Sequence, residues 1–249
     1  MKIVITGGCS FSECISPWIE TWPRHLERQI NSDVAFHEGL GCQGNDNISR
    51  QIIHRVSETL KNYSNEDILV GIMWSGFDRK SLFVNYQNLE KINHGMTIPG
   101  QFGESLGVYN PYNWIEESSS QGWLILGGDD RRSKAWFTEL HHAVEAQLTT
   151  IEHILRVQWF LKLNNIKYFM TTYMSEVLDE FLTNNYNVKH LYNQIDFNNF
   201  LPVVGEYEWC RDFSGLDFPI PGDKHPSTEQ HKLFSEQIII PFLKEKNYI

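Results

Sequence analysis

Short apolar runs, separated by polar stretches with helical periodicity, organise this chain. KIVIT (2–6), VAFHEGL (34–40), DILVGIMW (67–74) and IKYFMTTY (166–173) are too short for typical helices and rich in residues that suit a pleated, buried surface. They predict four strands. SPWIETWPRHLERQI (16–30) repeats Trp18, Trp22, Leu26 and Ile30 at helical spacing, with Pro17 suited to a first turn. NISRQIIHRVSETLKNY (47–63) predicts a second helix, capped by Asn45 or Asp46. A long helix over about 134–164 sets Leu140, Val144, Leu148, Ile151, Leu155 and Phe160 on one broad face. The last helix starts near Ser227, whose S-x-x-Q spacing to Gln230 is that of a capping box, and Pro241 interrupts its later part.

Strands alternating with helices predict an α/β fold, with a parallel sheet covered on both faces. Two regions depart from the pattern. Residues 80–132 read as a long irregular insertion, rich in Gly, Asn, Ser and Pro, that carries Phe83, Tyr86, Phe102, Tyr109, Tyr112, Trp114 and Trp123. Such a stretch inside a compact domain more often covers a site than bridges two elements. Within it, GWLILGGDD (122–130) predicts a strand ending in a turn. Residues 174–220 show no assignable pattern. With no internal repeat and no low-complexity linker, 1–249 reads as one domain.

Composition narrows the function classes. The 249 residues are enough to bury a sizeable core. The formal net charge is −10, with no basic cluster larger than a pair such as Arg131-Arg132, so a nucleic-acid partner is not expected. No apolar run approaches the length of a membrane span, and KIVIT is too short for a signal peptide. The expectation is a cytoplasmic protein, or one packaged from the cytoplasm into a particle. Cys9, Cys14, Cys42 and Cys210 show no CxxC pair, and the histidines no zinc spacing, so free thiols and no metal or cofactor are expected.

Candidate chemistry gathers at the strand ends. In an open α/β sheet, ligands bind at the carboxyl edge of the strands. Turns 7–12, 39–46 and 74–79 all follow predicted strands and meet at that edge. The first presents Ser10. The second exposes backbone N–H groups around Gly39, Gly41 and Gly44. A later loop, PGDKHPSTEQH (221–231), brings Asp223 and His225 together before a helix. A serine hydroxyl needs a base to take its proton and a carboxylate to orient that base. Ser10, His225 and Asp223 supply these roles. Glu13 and Asp46 read as solvated caps, Cys9 as a small buried thiol, and His231 as a packing or solvent-facing residue.

GGCSFS resembles the nucleophile block of the SGNH (GDSL-type) hydrolases, with Cys9 where the name-giving motif has Asp. GLGCQGNDNI resembles the second block, in which Gly41 matches the glycine that donates to the oxyanion. DKHPSTEQH resembles the last block. The resemblance implies a flavodoxin-like three-layer α/β/α sandwich, and serine hydrolase chemistry on an ester without a cofactor. The acyl group would often be carried by a carbohydrate or lipid. Oxyanion donors would be the N–H groups of Ser10 and Gly41. The family's third block holds an oxyanion-donating Asn, whereas this chain reads WSGFDR there; Ser75, Arg79 and Asn45 are candidate substitutes. The last block is Asp-x-His rather than Asp-x-x-His, which leaves Asp212 or Asp217 as alternatives to Asp223. Arg79 and Trp74, at the third strand end, are candidate substrate contacts.

The reading is a carbohydrate O-acyl (acetyl) esterase or related acyltransferase acting on a small-molecule or carbohydrate ester. Sequences with GCSF and WS-type blocks also resemble ones from phage genomes. The alternative is therefore a non-catalytic, virion-associated binding or structural module on the same scaffold.

Overall fold

The computed structural model describes residues 1–14, 19–85, 108–109, 121–126, 131–178, 184–203 and 205–249. Strand β1 (Ile3–Gly7) is followed by a 3-10 turn, Ser10–Ser12, and helix α1 (Trp22–Gln29). Then come β2 (Val34–His37), α2 (Asn45–Thr59) and β3 (Ile68–Trp74). These strands and β7 (Lys167–Thr172) form a four-stranded parallel sheet in the order β2-β1-β3-β7. In register, Ile5 lies opposite Phe36 and Val70, and Ile72 opposite Met170. Strand β1 lies between β2 and β3, so the chain crosses from one side of β1 to the other after β2. That switch point is where such sheets bind ligands.

The core is built as the apolar pattern predicts. Every residue of β1 and β3 is buried. Helix α1 sends Trp22 and Leu26 into the core, where Trp22 meets Phe169 edge-on at 5.8 Å. Helix α2 places Ile48 and Ile52 over Gly7. The long helix is broken in two. A short α3 (Arg131–Ala135) runs into a π-helical turn, Trp136–Leu140, before α4 (Ala143–Leu163) starts afresh. Leu140, expected on the buried face, is exposed for that reason.

Three expectations need correction. Helix α1 begins at Trp22, with Pro23 in its first turn, rather than at Ser16; Pro17 and Trp18 lie outside the described residues. Gly44 occupies the cap position of α2, and Asn45 and Asp46 are its first helical residues, both buried. The stretch 80–132 is not wholly irregular. Strands β4 (Lys80–Asn85), β5 (Val108–Tyr109) and β6 (Gln121–Leu126) form a second, antiparallel sheet in the order β4-β6-β5. The aromatic side chains of that stretch lie outside the described ones. In the region without a pattern, α5 (Tyr186–Tyr192) packs against α4, α6 (Glu206–Phe213) packs against the helix that follows at 228–234, and Phe200 makes a single parallel bridge to Met170.

Helix α7 (Thr228–Phe234) starts with the predicted capping box, in which the Ser227 hydroxyl accepts from the Gln230 amide and the Gln230 side chain accepts from the Ser227 amide. Ser227→Ala is expected to cost about 1 kcal/mol in chemical denaturation, with the midpoint shifting at constant slope. A π turn at Ser235–Ile239 precedes α8 (Ile240–Glu245), and Pro241 sits in the first turn of α8, where its missing N–H is harmless. Among the described residues, no helix is long and apolar enough to cross a membrane. All four cysteines are free thiols.

Candidate active site

The turn after β1 is held from three sides. Ser12 is fully buried, and its hydroxyl accepts from the Trp22 indole N–H at 2.9 Å. A Cβ on Gly8 would stand 2.9 Å from the Met73 carbonyl, so only glycine lets the turn lie this close to β3. The loop after β2 is fastened to the same turn, because Leu40 N–H and the Gln43 side-chain amide both donate to the Gly8 carbonyl. Sequence-distant loops therefore share one anchor, and Ser10 sits at their junction.

A late turn brings the base. Ile220–Asp223 is closed by an Asp223 N–H···O=C Ile220 bond of 3.0 Å, with Pro221 second and Gly222 third at φ +83°. That conformation suits glycine and accounts for the Pro-Gly pair. Asp223 Oδ1 then accepts twice from His225, from its backbone N–H at 3.1 Å and from ring Nδ1 at 2.6 Å. With Nδ1–H given to Asp223, Nε2 faces Ser10 Oγ at 2.7 Å with its lone pair. Burial raises the Asp223 pKa, but the hydrogen bonds from the His225 ring and backbone outweigh it and hold the carboxyl below its ordinary range. Of the three aspartates considered, Asp223 holds the imidazole; Asp212 is paired with Arg211 on the surface.

Phe11 is the support that the residue pattern left unassigned. It is buried next to Ser10, lies 5.0 Å from the His225 ring at a tilt of 40°, and meets Tyr173 edge-on at 5.3 Å. Beyond Phe11 is a second imidazole–carboxylate pair. His231 Nδ1 lies 2.7 Å from Glu206 Oε1, and the Glu206 side chain is wholly buried. Burial pushes the Glu206 carboxyl up, and His231 only partly offsets this. Glu206 carried no sequence signal, since an acid in a helix's first turn is unremarkable. Ser10, Glu13, Thr21, His225 and His231 line one cavity of about 170 Å³, closed by Ile19 and Pro226. Glu13 is thus a wall of the candidate site rather than a solvated cap.

The substitutes for the missing third-block Asn fall elsewhere. Asn45 is 2 % exposed and committed to the end of β3: its amide donates to the Ser75 carbonyl at 2.9 Å and to Thr150 Oγ1 at 3.2 Å, and its oxygen accepts from Ser75 N–H at 2.8 Å. Both Asn45 donors are used, and the Ser75 amide is used as well. These bonds clamp α2 to β3 and take the Asn45 side chain away from an oxyanion role; the Ser75 hydroxyl is buried with no partner among the described residues. Trp74 is fully buried in β3, which removes it as a substrate contact. Arg79 lies 5.1 Å over the Tyr173 ring and lines a different recess, with Asp46, Lys80, Trp136 and His153. Gly41 stays beside the site; a Cβ there would stand 3.1 Å from Glu13 Oε2.

In that second recess, Asp46 is not the solvated cap expected of it. It lies near Lys80 and Arg50, and burial raises its pKa nonetheless. His153 accepts from Arg156 at Nδ1. Burial, reinforced by the charges of Arg156, Arg50 and Lys80, lowers its pKa to about 3. An unfolded histidine takes up its proton near pH 6.5, whereas the folded one stays neutral, so the unfolded state binds the extra proton as pH falls. Between pH 7 and pH 5 this is expected to remove about 2 kcal/mol of stability. Urea denaturation of wild type and His153→Gln at both pH values checks it: the variant loses this share of the difference. No group of three or more His, Cys, Asp or Glu among the described residues is arranged for a metal ion.

The chain belongs to the family DUF6071, a family of unknown function, whose model matches residues 16–248. Curated proteins gave no match. Among solved structures, a G-D-S-L family protein from Desulfitobacterium hafniense DCB-2 is similar over 95% of this chain and 97% of its own, with 13% identity and a TM-score of 0.47.

Proposed function

We propose that this protein is a serine ester hydrolase of SGNH type, a carbohydrate O-acyl esterase or a related acyltransferase. The observation that carries the reading is the unbroken chain Ser10 Oγ–His225 Nε2, His225 Nδ1–Asp223 Oδ1, at 2.7 and 2.6 Å, opening on a cavity. His225 takes the Ser10 proton as Oγ attacks the acyl carbonyl carbon. The carbonyl electron pair moves to oxygen, received by the N–H groups of Ser10 and Gly41. Collapse expels the alkoxide, which takes the proton from His225, and leaves an acyl-serine. Water or an acceptor hydroxyl, deprotonated by the same imidazole, then releases the acyl group. Asp223, held ionised, keeps Nδ1–H in place and balances the imidazolium charge.

The small cavity supports short acyl groups, since a space of about 150 Å³ holds a molecule the size of benzene. Release of p-nitrophenol from p-nitrophenyl acetate, and of acetate from O-acetylated sugars, tests the reading with wild type and Ser10→Ala. Turnover that Ser10→Ala abolishes supports it. Equal rates in the two proteins, on both substrates, would favour the non-catalytic module.

A further inference from the structure

We propose that His231, held by Glu206, selects the alcohol part of the ester by hydrogen-bonding a second, free hydroxyl on it, so that the preferred substrates are monoesters of diols and polyols; this rests on the esterase reading. Glu206 opens α6 and is wholly buried, with Oε1 2.7 Å from His231 Nδ1. Its Oε2 is buried without a hydrogen-bond partner. A buried acid tied at one oxygen only is costly, and the bond it does make fixes the His231 ring. Nε2 of that ring makes no hydrogen bond among the described residues and is not sealed from water. His231 is 1 % exposed and lines the Ser10 cavity. A buried imidazole thus keeps one nitrogen for what enters.

In the esterase reaction the departing alkoxide takes its proton from His225 Nε2, so the alcohol part of the ester stands on the His225 side of the cavity. His231 is on that side too. The His225 loop runs directly into α7, where the His231 N–H donates to the Ser227 carbonyl at 3.0 Å. Phe11 packs against both rings, 5.0 Å from His225 and edge-on at 6.4 Å from His231. The chemistry of the nitrogen names the group it takes. With Nδ1–H given to Glu206, Nε2 accepts; with the proton on Glu206, or on both ring nitrogens, Nε2 donates. A carbonyl only accepts and an ammonium only donates, whereas a hydroxyl does both and fits either state. A methyl in its place leaves the nitrogen unpaired, which a site built for a hydroxyl penalises.

The test compares 2-hydroxyethyl acetate with propyl acetate, two esters of the same length that end in a hydroxyl and a methyl. Acetate release by wild type is expected to favour the hydroxyl ester by about tenfold in kcat/KM. His231→Asn keeps an amide near the Nδ1 position for Glu206 and removes Nε2, so the ratio is expected to fall to about twofold or less. The intrinsic reactivities of the two esters cancel in that comparison. A wild-type ratio no greater than that of His231→Asn overturns the proposal. If wild type turns over neither ester faster than Ser10→Ala does, the esterase reading fails, and binding decides the selection; it decides also if His231→Asn does not fold. Ser10→Ala protein titrated by NMR with each ester should show the His231 Nε2 resonance moving with 2-hydroxyethyl acetate and not with propyl acetate. Equal movement with both, or movement with neither, overturns it.

Discussion

Replacing Ser10 by alanine is expected to lower kcat/KM for p-nitrophenyl acetate by at least about 10³-fold, with the unfolding midpoint within about 4 °C of wild type. The expectation follows from the division of labour in the site. Ser10 supplies the bond-forming oxygen, so its removal leaves only the binding pocket and the amide donors. Stability depends little on it, because the hydroxyl makes one hydrogen bond at a partly exposed position. His225→Ala should match it in rate, since a triad acts as a unit and its losses do not add. The double variant should be no slower than either single one. Steady-state rates on the four proteins, with circular dichroism to check folding, measure this. A full additive loss in the double variant would mean that the two residues act independently.

Asn45→Ala should behave in the opposite way. It strips partners from the Ser75 N–H and carbonyl and from Thr150, all buried, and each orphaned group costs on the order of 1–3 kcal/mol. A total near 3 kcal/mol corresponds to a fall of about 6–12 °C in midpoint for a chain of this size. An oxyanion donor would show the reverse, a rate loss of about two orders of magnitude at unchanged stability. Thermal unfolding beside single-temperature kinetics separates the two. A variant that unfolds like wild type but turns over slowly would restore Asn45 to the reaction.

The parts of the fold legible in the sequence were those fixed by local pattern. Short runs of mainly apolar, β-branched or aromatic residues marked β1, β3 and β7, because strands buried on both faces draw mostly on such side chains. Ser227 and Gln230 marked a helix start, because a cap is a contact between near neighbours. The helix break at 136–142 was invisible, since Leu140 and Val144 keep helical spacing across it while the backbone between them does not. Strands β4 and β5 were hidden because antiparallel pairing depends on a partner far along the chain. In the site, Ser10 was legible as the turn after β1, and His225 as the loop before the helix that starts at Thr228. Phe11, Glu13 and Glu206 did not, because their roles depend on which loops the sheet order brings together. Trp74, Ser75 and Asn45 sit where strand ends should offer donors. Asn45 spends both side-chain donors on Ser75 and Thr150 and has none left for a ligand, while Trp74 and Ser75 are buried.

The most direct measurement is covalent labelling with a fluorophosphonate, read by intact mass and peptide mapping. A phosphonyl group transfers to a serine only where a base takes the hydroxyl proton and donors receive the developing charge. The account predicts one adduct per chain, on the peptide that holds Ser10, absent from Ser10→Ala and strongly reduced in His225→Ala. No adduct on wild type, or one that persists in Ser10→Ala, would contradict it.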